Sequence, residues 1–210
     1  MDAPATFETP RERVSVSVTD VVPRTKGTHV FAMCVSSDGR PIVAARRTSF
    51  AFQEVMLQRR TPDTVLRVPK TVLRYMYSNE LREIASRSRY RGLQTRNDQF
   101  VELIMLGGRL TKSETAEGCL EREIREESDG TLTVRGFGRG VVLVRIFDKA
   151  LGRLFEGYCM LCFVEETLAE AVSASLYNVE VRGLRALEDD PANDKFAYLM
   201  FIYNILFSLK

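Results

Sequence analysis

Residues 107–127 constrain this chain more than any other stretch: Gly-Gly-Arg-Leu-Thr-Lys-Ser-Glu-Thr-Ala-Glu-Gly-Cys-Leu-Glu-Arg-Glu-Ile-Arg-Glu-Glu. On a helix, Glu123, Glu126 and Glu127 stand at i, i+3 and i+4 and share one face, where like charges repel. A hard divalent cation removes that penalty, because Mg²⁺ or Mn²⁺ prefers carboxylate oxygen. Ala116, Leu120 and Ile124 form the opposite, apolar stripe that anchors such a helix to a core. Gly107-Gly108 ahead of it permits a tight strand-to-helix turn and close backbone approach to a phosphate. The pattern predicts a strand over 100–106 and a helix over 111–127.

The flanking sequence reads as a mixed α/β chain. Val14, Val16 and Val18 alternate with serines at strand period. The runs 28–36 and 41–45 flank Ser37-Asp38-Gly39-Arg40, which predicts a hairpin closed by a type I′ turn. Further strands are expected near 132–137, 141–147, 154–164 and 177–182, with helices near 168–175 and 196–209. Residues 50–98 alternate apolar and basic residues at helical spacing, interrupted near Pro62 and Pro69. The expected organisation is a core of 1–53 and 99–210 interrupted by an inserted basic helical module, 54–98.

Charge is segregated accordingly. The whole chain of 210 residues carries only +2. Between Gln58 and Asp98, however, ten Lys and Arg face four acids, which leaves +6 there and −4 elsewhere. Arg87, Arg89, Arg91 and Arg96 are its densest part, and for a substrate with a long phosphate backbone, such as an RNA, they are the expected contacts. A hydrophobic share of 45% argues against a disordered chain. One histidine, His29, excludes zinc sites that need two imidazoles, and four cysteines are too few for a disulfide framework. Cys159 and Cys162 have redox-type spacing, but Tyr-Cys-Met-Leu-Cys-Phe-Val reads as a buried strand. No leader-like segment opens the chain. The apolar run 196–209 is shorter than the ~20 residues of a membrane span, so neither a membrane nor an obligate protein partner is expected.

The 107–127 segment resembles the Nudix box, Gly-x5-Glu-x7-Arg-Glu-U-x-Glu-Glu-x-Gly-U with U apolar. Gly108, Glu114, Arg122, Glu123, Ile124, Glu126 and Glu127 fall on its positions in register. The final glycine of the box is Asp129 here, with Gly130 one position late. The resemblance implies a Nudix α/β/α sandwich with a mixed sheet and metal-dependent hydrolysis of a nucleoside-linked diphosphate. It implies Glu126 as the catalytic carboxylate, Glu123 and Glu127 as ligands of Mg²⁺ or Mn²⁺, and Glu114 and Arg122 as the residues that orient them. Glu180 is a second candidate base, since family members often supply an acid from a late segment.

Stretches 7–12, 28–32, 45–53, 79–84 and 158–160 are similar to the poxvirus Nudix mRNA-decapping enzymes of the early-expressed type, and the similarity covers essentially the whole chain. It implies capped mRNA as substrate in the host cytoplasm, with release of 7-methyl-GDP and 5′-monophosphate RNA. The cap makes its own demands. N7-methylguanine is cationic and gains from stacking on aromatic rings. Its N1–H and N2–H₂ edge offers donors, which a carboxylate accepts. Phe50 and Phe155 are the implied sandwich, Glu12 and Asp148 the base-edge acids, and Arg46 a cap-phosphate contact. Asp148 is alternatively a metal ligand. Two other functions compete: a Nudix pyrophosphatase for small nucleotides, and a cap-binding module without catalysis.

Overall fold

The computed structural model describes residues 3–57, 66, 68–88, 92–174, 176–177, 179–184 and 194–209. Its centre is a mixed, open sheet. The strands are β1 (Ala5–Glu8), β2 (Glu12–Thr19), β3 (His29–Val35), β4 (Pro41–Arg46), β5 (Leu103–Ile104), β6 (Leu106–Arg109), β7 (Val134–Asp148), β8 (Arg153–Val164) and β9 (Val179–Gly183). They run β1-β2-β7-β8-β3-β4-β5, with β6 on β3 and β9 on β4. Only the β3–β8 pair is parallel among the described pairings. The first half of β3 pairs with β6 and its last two residues pair with β4. The two neighbours therefore diverge along one edge of β3.

Helices cover both faces. On one, α4 (Ala116–Glu127) buries Leu120 and Ile124 beside α5 (Leu168–Ser173), against Val30, Ala32, Ile42 and Val181. On the other, α6 (Asp194–Ser208) packs Leu199, Ile202 and Leu206 over Val14, Met33, Val43 and Val144. These positions sit at the i, i+3, i+7 spacing of a one-sided helical stripe. Between β4 and β5 lie α1 (Phe50–Leu57), α2 (Lys70–Leu73) and α3 (Ser78–Arg87), which share a separate cluster of Ala51, Val55, Val72, Met76, Leu81 and Ile84. No described helix is long and apolar enough to cross a membrane.

Several expectations change in detail. The 28–46 hairpin forms, but only Gly39 of its turn has positive φ, at 78°. A type I′ turn needs two such residues. Here Ser36 donates its N–H to the Arg40 carbonyl and Gly39 donates to the Ser36 carbonyl, a longer loop. The strands expected at 132–137 and 141–147 are one, β7, whose register on β8 shifts between Phe137 and Val141. The expected 100–106 strand is two short ones, β5 and β6. The helix begins at Ala116, not Thr111, because Thr115 caps it by accepting from the Gly118 N–H at 3.1 Å. Helix α1 starts at Phe50, inside the segment assigned to the core. Cys159 and Cys162 are both buried, and three residues apart on β8 they face opposite sides of the sheet.

Candidate active site

Strand β6 delivers Gly107 and Gly108 against β3, and α4 packs over them. A Cβ on Gly107 would lie 2.2 Å from the Val30 carbonyl oxygen, and one on Gly108 2.1 Å from a Glu123 carboxylate oxygen. The two glycines thus let the acidic face of α4 settle directly on strand backbone. Glu127 accepts the Gly107 N–H at 2.9 Å. Burial, opposed by that bond and reinforced by Glu123, pushes the Glu127 carboxyl up to about 7.

Arg122 organises the rest. Its guanidinium holds Glu114 through two bonds of 2.7 and 3.2 Å and reaches Glu123 at 2.7 Å and Glu126 at 3.4 Å. This fork holds the Glu114 carboxyl down to about 2. Glu126 is the open member, with 61% of its side chain exposed. The donor chemistry suits Mg²⁺ or Mn²⁺: oxygens alone, one of them buried and short of positive charge, against backbone with no Cβ in the way. The cluster is nonetheless not closed. Among the described residues no three acidic, histidine or cysteine side chains converge as a metal cage. The Arg122 guanidinium stands where positive charge is needed and draws Glu123 and Glu126 towards itself.

A second centre lies on the α6 face, a cavity of about 100 Å³ lined by Glu12, Phe31, Phe50, Asp148, Phe155, Lys195 and Tyr198 among others. Phe50 and Phe155 face each other across it, ring centroids 5.9 Å apart and planes 37° from parallel. A base held between two rings needs roughly 7 Å, twice a van der Waals contact, so the rings must part by about 1 Å and turn parallel. The Arg46 guanidinium lies 4.2 Å from the Phe50 centroid, and its charge also acts on Glu127. This arginine connects the cavity to the carboxylate helix.

Behind the rings is a buried ionic cluster. Glu12 and Asp148 are register partners across β2 and β7 and share a face. Arg11 binds Asp148 at 3.0 Å and Glu102 at 3.4 Å, while Lys195 binds Glu102 at 2.6 Å and Glu12 at 3.2 Å. Three carboxylates thus meet two cations. Glu12 Oε2 is buried without a hydrogen-bond partner, and burial raises the Glu12 carboxyl above its ordinary range. Glu102 also accepts the Phe50 N–H at 3.0 Å. Glu80 accepts the Ser49 N–H and hydroxyl, each at 2.7 Å. The two buried acids fix the start of α1 and with it the Phe50 ring.

The structure brings together Glu114, Arg122, Glu123, Glu126 and Glu127 in one place and Glu12, Phe50, Asp148 and Phe155 in another, with Arg46 between. Asp148 does not join the α4 carboxylates: one oxygen accepts the Ala150 and Leu151 N–H groups at 2.9 Å and the other binds Arg11. Glu180 stands apart as well. Its strand neighbours Val179 and Val181 pack on the α4 side, so Glu180 projects from the opposite face, bound to Arg182 at 3.0 Å. Arg87 is paired with Glu83 at 2.5 Å and Arg96 with Asp98. Arg89 and Arg91 lie outside the described residues. Sequence reasoning missed Arg11, Glu102 and Lys195. The available signal was their placement, a charge just before β2, just before β5 and within the apolar α6, but nothing local pairs them.

No protein-family profile matches the chain. Among curated proteins it is 46% identical over 210 residues to "mRNA-decapping protein OPG121" of Monkeypox virus, covering 100% of this chain and 98% of that one. It is 47% identical over 201 residues to "mRNA-decapping protein D9" of Rabbit fibroma virus, covering 96% and 97%. It is 42% identical over 211 residues to "Putative Nudix hydrolase FPV054" of Fowlpox virus, covering 100% and 91%.

Proposed function

The chain belongs to the poxvirus mRNA-decapping proteins, Nudix hydrolases that act in mRNA decapping, and from that membership we propose that it releases 7-methyl-GDP from capped RNA and leaves a 5′-monophosphate end. The observation that carries this reading is the pairing of an aromatic cavity with a buried, unpartnered acceptor, Glu12 Oε2, in a chain that also carries the acidic face of α4. The neutral base of an ordinary small nucleotide gives no reason for excess negative charge behind two aromatic rings. A methylated, cationic base does.

In this reading Phe50 and Phe155 part to stack on the base, and Glu12 accepts from its N1–H and N2–H₂ edge with Asp148 beside it. Lys195 pairs with Glu12 and Arg11 with Asp148, which holds both acids in place. Arg46 meets the phosphates as they leave the rings. Glu126, exposed and at the end of the Arg122 fork, takes the proton of the attacking water. Glu114 acts through Arg122 and keeps the fork planar against Glu123. Glu123 and Glu127 would hold a divalent cation, either Mg²⁺ or Mn²⁺, which would supply neutralisation of the charge on the phosphate oxygens. Asp148 as a metal ligand and Glu180 as base find no support in their contacts. The basic 54–98 segment carries the RNA body, and the substrate sets the place of action as the host cytoplasm.

The test is incubation of the purified protein with cap-labelled RNA and Mg²⁺ or Mn²⁺, with products resolved by chromatography. Wild type yields labelled 7-methyl-GDP, and Glu126→Gln yields at least 10²-fold less at saturating substrate. Intact capped RNA under conditions that cleave a dinucleoside polyphosphate would replace this reading with the small-nucleotide pyrophosphatase.

A further inference from the structure

A groove on the side of β4 and β9 away from α4 has so far given only one of its lining residues, Arg46, a role. Its volume is about 490 Å³, and Arg46, Arg47, Arg82, Arg182, Ser78 and Asn97 are among its lining residues. Four guanidinium groups meet two carboxylates there, Asp98 and Glu180, and each carboxylate is already bound to an arginine. The groove is therefore positive by about two charges before Arg96, on Asp98, is included. Arg182 Nε is buried within it without a hydrogen-bond partner. Arg47 donates to the Tyr177 carbonyl at 2.8 Å and the Leu176 carbonyl at 2.5 Å, which holds one wall in place.

Position gives this charge a purpose. Arg46 ends β4, lines the groove, and stacks on the Phe50 ring. A capped RNA whose methylated base sits between Phe50 and Phe155 carries its cap phosphates past Arg46, and the nucleotides that follow enter the groove next. The geometry points to this groove as the seat of the first phosphates of single-stranded RNA beyond the cap, gripped by Arg47, Arg82 and Arg182. The inference rests on the decapping reading and deepens it. It moves the first RNA contacts away from the C-terminal end of α3, where Arg87 is paired with Glu83, to the groove beside the start of that helix.

The experiment measures affinity for capped RNAs of 2 and 20 nucleotides as a function of salt, with product release as a parallel readout. The variants are Arg82→Gln/Arg182→Gln and, as a control, Arg13→Gln/Arg145→Gln on exposed positions of β2 and β7. Each single-strand phosphate contact contributes about 0.7 to the slope of log K against log salt. The groove variant is expected to lose about 1.4 from that slope with the longer RNA. Its preference for 20 nucleotides over 2 should fall at least tenfold, with the control unchanged. A wild type that releases no 7-methyl-GDP overturns the decapping reading itself. A wild type that decaps, with the groove variant keeping its slope and length preference or the control losing as much, overturns the groove alone.

Discussion

Burial raises the carboxyls of Glu12 and Glu127, one at each end of the proposed site. In that reading the Oε2 of Glu12, which has no hydrogen-bond partner, receives the base. Glu12→Gln keeps the side chain's shape and removes its charge, so the KM for capped RNA should rise 10- to 100-fold while kcat at saturation stays within about threefold. That range reflects the roughly 1.5–3 kcal/mol of a hydrogen bond to a charged group. Steady-state kinetics check it, and an unchanged KM would remove Glu12 from base recognition. For Glu127 the consequence appears in stability. Its carboxyl stands at about 7 against an ordinary 4.5, so between those values the folded state keeps a proton that the unfolded state releases. The contribution is complete below pH 4.5 and is lost as pH rises through 7. With EDTA present, the Tm of wild type should fall by several degrees between pH 5 and 8, and Glu127→Gln should flatten that fall. Parallel pH profiles for the two proteins would contradict it.

At the level of elements, the junction of β6 and α4 separates folding from chemistry. A Cβ at Gly107 meets the Val30 backbone oxygen and the residue holds φ at +147°, whereas at Gly108 the Cβ meets only the Glu123 carboxylate. Gly107→Ala should therefore lower stability by several kcal/mol through backbone strain. Gly108→Ala should fold with a Tm near wild type, yet displace Glu123 and cut decapping at least 10²-fold. Thermal melts beside activity distinguish the two, and an active Gly108→Ala would detach Glu123 from the reaction. This junction was legible in the sequence because its signals are local: a period, a double glycine, an acidic face. The end of α4 was less so. Asp129 itself takes the left-handed turn, at φ 50°, and binds the Tyr177 N–H at 2.6 Å. Aspartate is one of the few residues with a side chain that adopts that conformation, and here the partner of its carboxylate comes from a loop 48 residues away.

Across the whole molecule, the division between what sequence reveals and what it hides follows the distance of contacts along the chain. The sheet with helices on both faces could be read from periodicity. The ionic cluster could not, because Arg11 and Asp148 are 137 positions apart and Arg11 and Glu102 are 91 apart. Strand parity sends Glu180 away from α4, and parity depends on a register that composition does not set. In the proposed reading the same nonlocal assembly unites the aromatic cavity and the carboxylate helix through Arg46, which lies over Phe50 and whose charge acts on Glu127. The most direct measurement of that union is kcat/KM on two RNAs that differ only in the N7-methyl group of the cap. Stacking of a cation between two rings, worth about 1–2 kcal/mol, predicts a preference of roughly 5- to 30-fold for the methylated cap that vanishes in Phe155→Ala. Equal rates on both RNAs in the wild type would contradict the account.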